Sequence, residues 1–465
     1  MAALLISLIG YGNKRTKGDK LSLKGGAARE TPKERTYLCI DGKCFYASIE
    51  CAERGLNPFE TNLVVADPAR GKNALCLAIS PHLKSLGVHN RCRLSDIPGN
   101  IKYEIALPRM QLYVDYCADI YALYLNYIAP EDIHVYSIDE AFLDITNYLH
   151  IYKMSAKEFA KFLMNEIADK LHVPTTAGIG TNLYLAKIAL DLTAKKARDH
   201  IGFLTEELFR EQLWDHQPLT DFWGIAKGKA NRLSHYGIFT MRGIADADQS
   251  LLYKIFGVDA ELLIDHAWGR ETCLMSDIKK YRSKSHSVSF SQILPRDYDY
   301  EEAAVVMAEM SIHGCLELYK RHVITSKLWI GVGYSRYEAY PPAQASIKLK
   351  CPTQLSSIIE PAVKAKFREI VARGVPIRHL AISFCDTRDE GCEGYDLFTD
   401  WEQVDKEKTV ERTVLEIRDK FGKNAVLRGI NLNKAGTQRE RNGFIGGHRA
   451  GYDDARATRE TVHAL

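Results

Sequence analysis

The sequence predicts an α+β protein in which a mixed β-sheet is backed by two helices. Short apolar runs typical of strands, such as residues 37–40 and 176–180, alternate with segments of helical periodicity. A capping box, Ser155 to Glu158, opens one helical segment that Pro174 should end. A second helix is predicted over residues 183–195. Alternation of this kind is typical of helices packed on a sheet.

Composition limits the class of protein. The chain has 465 residues, enough for about three domains, and is 46% hydrophobic and 26% charged, as globular proteins are. The net charge of +3 neither demands nor excludes nucleic acid. The 11 cysteines have irregular spacing, which favours free thiols in a reducing cytoplasm. No apolar run is long enough for a signal peptide or a membrane span, so no membrane association is expected.

The remaining secondary structure is predicted from periodicity and turn residues. Short helices broken by glycines are expected between residues 219 and 257. The other predicted elements are strands at 63–66 and 74–79, and helices at 81–86, 110–127, 300–321, 354–371 and 406–421.

Three acidic residues point to the chemistry. Asp41 ends an apolar run, and Asp139-Glu140 lies between two apolar stretches, so the pair is predicted to cap a hairpin. A single Asp at a strand end is usually a turn residue. A strand-end Asp beside a hairpin-tip Asp-Glu pair, however, can hold two Mg²⁺ ions for in-line phosphoryl transfer.

The segments around these acids resemble the Y-family DNA polymerases, the UmuC/DinB group that copies damaged templates. The resemblance rests on Asp41-x-x-x-Phe45-Tyr46-Ala-Ser-x-Glu50 and on residues 137–144, and it extends from about residue 37 to 428. It implies that Asp41, Asp139 and Glu140 are catalytic and bind two Mg²⁺ ions, together with the backbone carbonyl of Gly42. Asp144 is interpreted as structural.

The resemblance also implies a right-hand architecture with a palm, small fingers, a helix–hairpin–helix thumb and an α/β little finger. The expected divisions are a disordered leader (1–34), palm (35–46 and 109–202), fingers (47–108), thumb (203–277), basic linker (278–283), little finger (284–388) and C-terminal tail (389–465).

For the nucleotide, the family's steric gate, which excludes a 2′-hydroxyl, aligns with Tyr46, and Phe45 would line the same pocket. The alternative is two core aromatics, but adjacent residues on a strand cannot both face one core. Lys84 stands where the family has a triphosphate-binding Arg. Pro81 replaces a family Tyr, whose hydroxyl Ser80 could supply.

A further phosphate ligand is expected at the end of the helix predicted over residues 183–195. Lys195 matches the family lysine, with Lys196 as a substitute because one extra residue is inserted. A solvated lysine at a helix C-terminus is the alternative.

For DNA, residues 223–228 resemble a helix–hairpin–helix. Gly224 and Gly228 would let backbone N–H groups reach a phosphate, and Lys227 would add charge. Residues 283–298 are similar to the start of the little finger, where Lys284 and Arg296 would hold the duplex backbone without reading sequence.

Two features follow the little finger. Residues 393–398 resemble the peptide that binds the bacterial sliding clamp, with Leu397 and Phe398 as anchors, although both could instead pack on the little finger. Residues 439–449 resemble the UvrX-type branch of Gram-positive bacteria and phages.

The sequence therefore predicts a template-directed translesion DNA polymerase that takes dNTPs and primer–template DNA. A DNA-bound adaptor without catalysis is one alternative, but all three acids are present. A nucleotide cyclase is another, but it has no place for the thumb and little-finger segments.

Overall fold

The computed structural model describes residues 35–282, 286–392 and 400–451. These residues form two compact units that divide after residue 281. The predicted leader, Lys284 and the clamp peptide with Leu397 and Phe398 lie outside the described residues. In the described part of the chain, no helix is both long enough and apolar enough to cross a membrane.

The first unit is built on two sheets. Its strands are β1 (Tyr37–Gly42), β2 (Leu63–Val65), β3 (Ala78–Ile79), β4 (Glu104–Ala106), β5 (Ile133–Val135), β6 (Glu140–Asp144), β7 (Thr175–Gly180) and β8 (Ile201–Leu204). The larger sheet has the order β5-β6-β1-β7-β8, and the smaller one has the order β3-β2-β4. In the larger sheet β7 and β8 are parallel and the other pairs are antiparallel. The predicted mixed sheet is therefore confirmed.

The helices of the first unit include those predicted near residues 81–86, 110–127 and 155–174 and the short helices between 219 and 257, together with several that were not predicted. They are α1 (Phe45–Glu53), α2 (Pro81–Ser85), α3 (Met110–Leu125), α4 (Leu149–Tyr152), α5 (Ala156–Leu171), α6 (Leu183–Ile188), α7 (Glu206–Leu213), α8 (Lys227–Ser234), α9 (Met241–Ala245), α10 (Gln249–Phe256), α11 (Asp259–Ala267) and α12 (Met275–Lys280). The predicted capping box of α5 is present: the Ser155 hydroxyl accepts from the Glu158 N–H, and the Glu158 carboxylate accepts from the Ser155 N–H at 2.8 Å.

Helix α6 departs from its predicted length. It continues past Ile188 as a wider π-helical turn, Ala189–Thr193, and then ends. The Thr193 hydroxyl donates to the carbonyl of Ala189 at 2.8 Å, which supports this wide turn. Lys195 therefore lies beyond the helix end, and the predicted helix over 183–195 was too long.

Glycines allow α6 to lie directly on the larger sheet. A Cβ added at Gly178 would come 2.2 Å from the backbone oxygen of Ala186, and one at Gly180 would come 2.2 Å from the Ala186 nitrogen. Side chains at these positions would push the helix away. The close approach sets the height of the α6 side chains above the sheet.

The second unit has a five-stranded antiparallel sheet with helices on one face. The elements are β9 (Val288–Tyr298), α13 (Tyr300–Lys320), β10 (Val323–Tyr334), β11 (Ala343–Thr353), α14 (Ser356–Ile370), β12 (Ile377–Cys385), β13 (Arg388–Asp389), α15 (Trp401–Phe421), α16 (Gln438–Arg441), β14 (Phe444–Ile445) and β15 (His448–Arg449). The order is β11-β10-β12-β9, and β13 pairs with β10. Apolar side chains of this sheet, α13 and α14 share one core.

The segment after residue 400 is packed on this unit. Helix α15 starts five residues before the predicted charged helix, at Trp401, because the Asp400 side chain caps it by accepting from the Gln403 N–H. Glu309 of α13 is only 1% exposed and accepts hydrogen bonds from Asn431 Nδ2 at 2.9 Å and from the Thr437 N–H at 2.7 Å. Asn431 and Gln438, which are both buried, are thus part of this unit's polar interior.

Candidate active site

The three predicted acids meet at one end of the larger sheet. Strand β1 pairs with β6 so that Asp41 lies directly opposite Glu140. The N–H of Gly42 donates to the carbonyl of Asp139 at 2.8 Å. Directly opposite residues of an antiparallel pair project from the same face, so the carboxylates of Asp41 and Glu140 share one side of the sheet.

The hairpin that carries Asp139 and Glu140 is also present. Strand β5 ends at Val135, and the Tyr136 N–H donates to the carbonyl of Glu140 at 2.9 Å, which closes the turn. Glu140 is the first residue of β6. The prediction that the Asp-Glu pair lies at a hairpin tip is confirmed.

Lys187, which sequence reasoning missed, reaches into this cluster from α6. Its Nζ donates to Glu140 Oε2 at 2.8 Å and to Asp191 Oδ1 at 3.2 Å. The other oxygen of Glu140 accepts from Cys39 Sγ at 3.1 Å. Burial opposes a charge on Lys187, but the carboxylates of Glu140 and Asp191 outweigh it and raise the pKa of the lysine. A buried cation therefore balances the acids from within the protein.

The pKa of Asp41 indicates that Lys187 does not fully balance the negative charge of the acids. Burial raises its pKa to about 8, the charges of Asp139 and Glu140 add to this shift, and Lys187 opposes it. Mutual repulsion of buried carboxylates is what a divalent cation would relieve. The donor set of carboxylates and a backbone carbonyl is also the one that Mg²⁺ prefers.

The acids do not form a finished metal cage. Among the described residues, no three His, Cys, Asp or Glu side chains converge closely enough to hold an ion. Glu140 is engaged with Lys187, and Asp139 Oδ1 accepts from the Ser137 hydroxyl at 2.6 Å. Mg²⁺ usually takes one or two carboxylates plus waters and substrate phosphates, so an incomplete protein cage is compatible with it.

Gly42 and Cys44 determine how the chain leaves β1. A Cβ at Gly42 would lie 2.5 Å from the Phe45 ring, so a larger residue would displace this aromatic side chain. Cys44 has a left-handed backbone (φ 50°), which ends the extended run and starts α1. Phe45 and Tyr46 therefore open a helix, and the prediction that they lie on a strand was wrong.

Tyr46 lies beside the acids and is held by a second tyrosine. Its ring stacks on Tyr113, with centroids 4.4 Å apart. The Tyr113 hydroxyl donates to Glu50 Oε1 at 2.8 Å, and Arg109 Nη2 donates to Glu50 Oε2 at 2.7 Å. Burial raises the pKa of Tyr46 to about 12, the charge of Asp139 adds to this, and that of Arg91 opposes it. Phe45 is buried, 3% exposed.

Two basic residues of the first unit, Lys84 and Arg91, act on groups near Tyr46. Lys84 is exposed on α2, and its charge acts on Cys44, where it opposes the effect of burial on the thiol pKa. Arg91, which sequence reasoning missed, acts on Tyr46 and has a left-handed backbone (φ 59°). Lys195 and Lys196 are both exposed in the turn after α6.

Ser80 is not available to replace the missing tyrosine hydroxyl at Pro81. It is fully buried, donates to the carbonyl of Thr61 at 2.6 Å, and accepts from the Leu83 N–H as the cap of α2. Its hydroxyl is therefore used in the local fold, which overturns that suggestion.

The predicted DNA-contacting residues are exposed where the structure describes them. Gly224 (φ 87°) forms the turn before α8, and Lys227 and Gly228 are the first residues of that helix. Arg296 of the second unit donates to Glu302 at 2.8 Å, so it is engaged in a local ion pair.

The structure adds a row of lysines that the sequence pattern did not reveal. Lys327 lies opposite Lys348 in the β10–β11 pair, and both are exposed on the sheet face that carries no helices, as is Lys350. The period-two alternation of β11 could have pointed to Lys348 and Lys350, because they alternate with the buried residues Ile347 and Leu349.

A site of paired carboxylates beside an aromatic pocket, on a mixed sheet followed by an α/β unit, defines a nucleotidyl-transferring enzyme with a Y-family polymerase fold. Comparison with known proteins supports this class. Residues 40–191 match the impB/mucB/samB family, and residues 285–397 match the C-terminal domain of that family. A solved Y-family DNA polymerase chimera, Dbh-Dpo4(243-245)-Dbh, superposes with a TM-score of 0.59 over 76% of this chain and 99% of its own, at 19% identity.

Sequence relatives agree with the fold. UvrX of Bacillus subtilis, assigned to UV-damage repair, is 31% identical over 90% of this chain and 98% of its own length. DNA polymerase IV 2 of the same bacterium is 30% identical over 90% of this chain and 99% of its own. The chain therefore belongs to the impB/mucB/samB family of Y-family polymerases. It is a DNA-directed DNA polymerase of the translesion type, which acts in DNA damage tolerance.

Proposed function

We propose that this polymerase adds dNTPs to a primer 3′ end through a site in which Asp41, Asp139, Glu140 and the carbonyl of Gly42 bind two Mg²⁺ ions. The observation that carries the proposal is the placement of Asp41 opposite Glu140, fixed by the Gly42–Asp139 hydrogen bond. Bound Mg²⁺ would polarise the primer hydroxyl and neutralise the charge on departing pyrophosphate. If the hydrogen bond between Glu140 and Lys187 opened, the Glu140 carboxylate would be available to bind a metal ion.

The elements fit the divisions of a right hand. The larger sheet with α3, α5 and α6 is the palm, over residues 35–46 and 109–202. The smaller sheet with α2 is the fingers, over 47–108, and the helices from α7 to α11 make up the thumb, over 203–277. Helix α12 starts in the thumb and runs into the linker, 278–283. The second unit is the little finger, and it includes the segment up to residue 451.

The pocket beside the acids selects the incoming nucleotide. Tyr46 is the steric gate against a 2′-hydroxyl, and Phe45 lines the pocket beneath it. Lys84 and Arg91 of the fingers bind the triphosphate, because both are exposed and their charges act on groups of the pocket. Lys195, or Lys196 in its place, contributes from the palm.

DNA is held by backbone contacts that do not read sequence. The turn at Gly224 and the start of α8 at Lys227 and Gly228 bind a phosphate through N–H groups. The open face of the little-finger sheet, with Lys327 and Lys348, follows the duplex backbone, and Arg296 contributes from its edge strand β9. Lys284, which lies outside the described residues, is proposed to hold the same backbone. Because its substrate is DNA and its described cysteines are free thiols, we place the enzyme in the cytoplasm.

Primer extension with Mg²⁺ on undamaged and abasic templates tests the catalytic assignment. Asp41→Asn and Asp139→Asn should abolish incorporation but leave primer–template binding nearly unchanged. Asp144→Asn is the matched control, since Asp144 lies on the same strand as Glu140 but pairs with Arg35 at the far end of the sheet. Extension at the wild-type rate by either acid variant would remove the metal assignment.

We also propose that Leu397 and Phe398 anchor a peptide that binds the bacterial sliding clamp. Tethering raises the effective concentration of a distributive polymerase at a primer end. Leu397→Ala with Phe398→Ala should lower processivity only when the clamp is present. An equal loss without the clamp would indicate that the two side chains pack on the little finger instead.

A further inference from the structure

Two cysteines of the first unit face each other across an antiparallel bridge. Leu75 and Arg93 form the bridge, the Cys76 N–H donates to the carbonyl of Cys92 at 2.9 Å, and the Leu94 N–H donates to the carbonyl of Ala74 at 3.0 Å. This pattern places Cys76 directly opposite Cys92. Only one backbone bond joins the two cysteines, because the Cys92 N–H donates to the carbonyl of His89 at 3.3 Å. Directly opposite residues of an antiparallel pair have Cα atoms about 4.5 to 5.5 Å apart.

The two cysteines pack in the same small core but differ in access to solvent. Cys76 is fully buried in this core, which includes Val64, Ile79 and Leu83, and Cys92 packs against it while partly exposed. Burial raises the pKa of Cys76 to about 12, and the neighbouring thiol adds to this shift. An oxidant in solution therefore reaches Cys92 first, with Cys76 directly behind it.

We propose that Cys92 and Cys76 form a peroxide-oxidation site, in which Cys92 is oxidised first and Cys76 closes a reversible disulfide with it. Disulfides need Cα atoms between about 4.4 and 6.8 Å apart, a range that directly opposite residues satisfy without backbone movement. The exposed thiol next to a resolving cysteine is the arrangement found in redox-sensitive sites.

The chemistry balances with a peroxide as the oxidant. The Cys92 thiolate attacks hydrogen peroxide, the O–O bond breaks, and Cys92 sulfenic acid and hydroxide form. The Cys76 sulfur then attacks the sulfenic sulfur, the S–O bond breaks, and water leaves. In total, two thiols and one hydrogen peroxide give one disulfide and two waters. Without Cys76, the sulfenic acid would proceed to sulfinic acid, which is irreversible in this setting.

The location gives this oxidation a consequence for the nucleotide pocket, a point that depends on the triphosphate role proposed above for Arg91. Cys92 follows Arg91 directly, and the Arg91 charge acts on Tyr46. A sulfinate at Cys92 would put a negative charge next to this cation. Closing a neutral, reducible disulfide instead protects the pocket.

The experiment uses the full chain treated with hydrogen peroxide, alkylated with iodoacetamide under denaturing conditions and digested before aspartates. The peptide 67–95 then carries both cysteines and no others, because the next aspartate after Asp67 is Asp96. In the wild type this peptide should be unalkylated and two hydrogens lighter than its reduced form, and dithiothreitol should restore both alkylation sites. In Cys76→Ser, Cys92 should instead gain two oxygens.

Controls keep the outcomes distinct. Cys92→Ser should leave Cys76 alkylatable after the same dose, and the disulfide in the wild type is measured without depending on the folding of Cys76→Ser. Cys351→Ser, a partly exposed cysteine of the second unit, should leave the result for peptide 67–95 unchanged. Equal sulfinic acid at Cys92 in wild type and Cys76→Ser would overturn the proposal, as would full alkylation of both thiols in oxidised wild type.

The KM for dNTP after peroxide and then dithiothreitol measures the link to the pocket. It should return to its starting value in the wild type and stay raised several-fold in Cys76→Ser. An unchanged KM in that variant, with the peptide result intact, would refute the link to Arg91 but not the disulfide. Because the peptide measurement involves no DNA synthesis, it is independent of whether the proposed active site is correct.

Discussion

The ring of Tyr46 stacks on the ring of Tyr113 with centroids 4.4 Å apart and planes inclined by 16°. Tyr113 in turn donates to Glu50, a fully buried carboxylate that also receives two hydrogen bonds from Arg109. The position of the proposed steric gate is thus set by a buried ion pair through one intervening ring. This relationship leads to three predictions.

Replacing Tyr46 by alanine should admit ribonucleotides, because the ring that crowds the 2′ position is removed. We expect the ratio of incorporation efficiency for rNTP to that for dNTP to rise roughly 10- to 100-fold, the range typical of steric discrimination in a pocket. Single-nucleotide incorporation kinetics measure the ratio. An unchanged ratio would show that Tyr46 is not the gate.

Replacing Tyr113 by leucine should weaken the same discrimination by a smaller factor, because Tyr46 keeps its ring but loses its stacking partner. Tyr113→Phe is the matched control: it keeps the stack and removes only the hydroxyl bonded to Glu50. We expect the control to remain close to wild type in sugar choice. If both variants behave alike, the hydroxyl and not the stack holds the gate. The effects of Tyr113→Leu and Tyr46→Ala should not add, because the residues are in contact.

Glu50→Gln should destabilise the protein in a pH-dependent way. Burial favours the neutral acid, but hydrogen bonds from Arg109 and Arg54 outweigh it and hold the pKa of Glu50 below its ordinary 4.5. The stabilisation is therefore present above about pH 4.5 and is lost as the pH falls through the lowered pKa.

At pH 7 the substitution should cost about 1–3 kcal/mol, because it removes the charge from a buried carboxylate that accepts charge-assisted hydrogen bonds from Arg109 and Arg54. Denaturant unfolding of wild type and variant should show this gap narrowing below pH 4.5. The exposed Glu60→Gln provides the baseline for loss of one carboxylate. A gap that stays constant down to pH 3 would contradict the ion-pair explanation.

Gly178→Ala should separate α6 from the palm sheet. The new methyl group would lie 2.2 Å from the Ala186 oxygen and from the Leu190 nitrogen, both backbone atoms, so the helix has to move. We expect a loss of about 1–3 kcal/mol in the free energy of unfolding and slower incorporation, since Lys187 moves with the helix. Gly99→Ala, where an added Cβ meets nothing within 4 Å, should be neutral in both thermal unfolding and primer extension.

The sequence predicted those parts of the site that depend on local pattern. Apolar runs before Asp41 and around Asp139 located the strands and their hairpin, and the Ser155 capping box marked the start of a palm helix. The prediction from sequence failed where one residue adopts an uncommon backbone conformation. Nothing in the identity of Cys44 indicates a left-handed conformation, so the start of α1 was missed.

Contacts between distant segments were also beyond the sequence pattern. Lys187 and Glu140 are 47 residues apart along the chain and meet only because α6 lies close over the sheet. A lysine within an apolar helical stretch was the available signal. The sequence signal for Arg91 was weaker, since its neighbours have no helical or strand periodicity.

The buried carboxylate of Glu309 has a practical consequence for anyone who wishes to express the second unit separately. Its oxygens are matched by donors from Asn431, Thr437 and Gln438, far downstream of the last strand of the sheet. A fragment cut at residue 388 would retain the acid and discard every one of these donors, and we expect it to be less stable at neutral pH than the longer fragment. A fragment spanning 286–451 keeps them, and fragment design should respect that boundary.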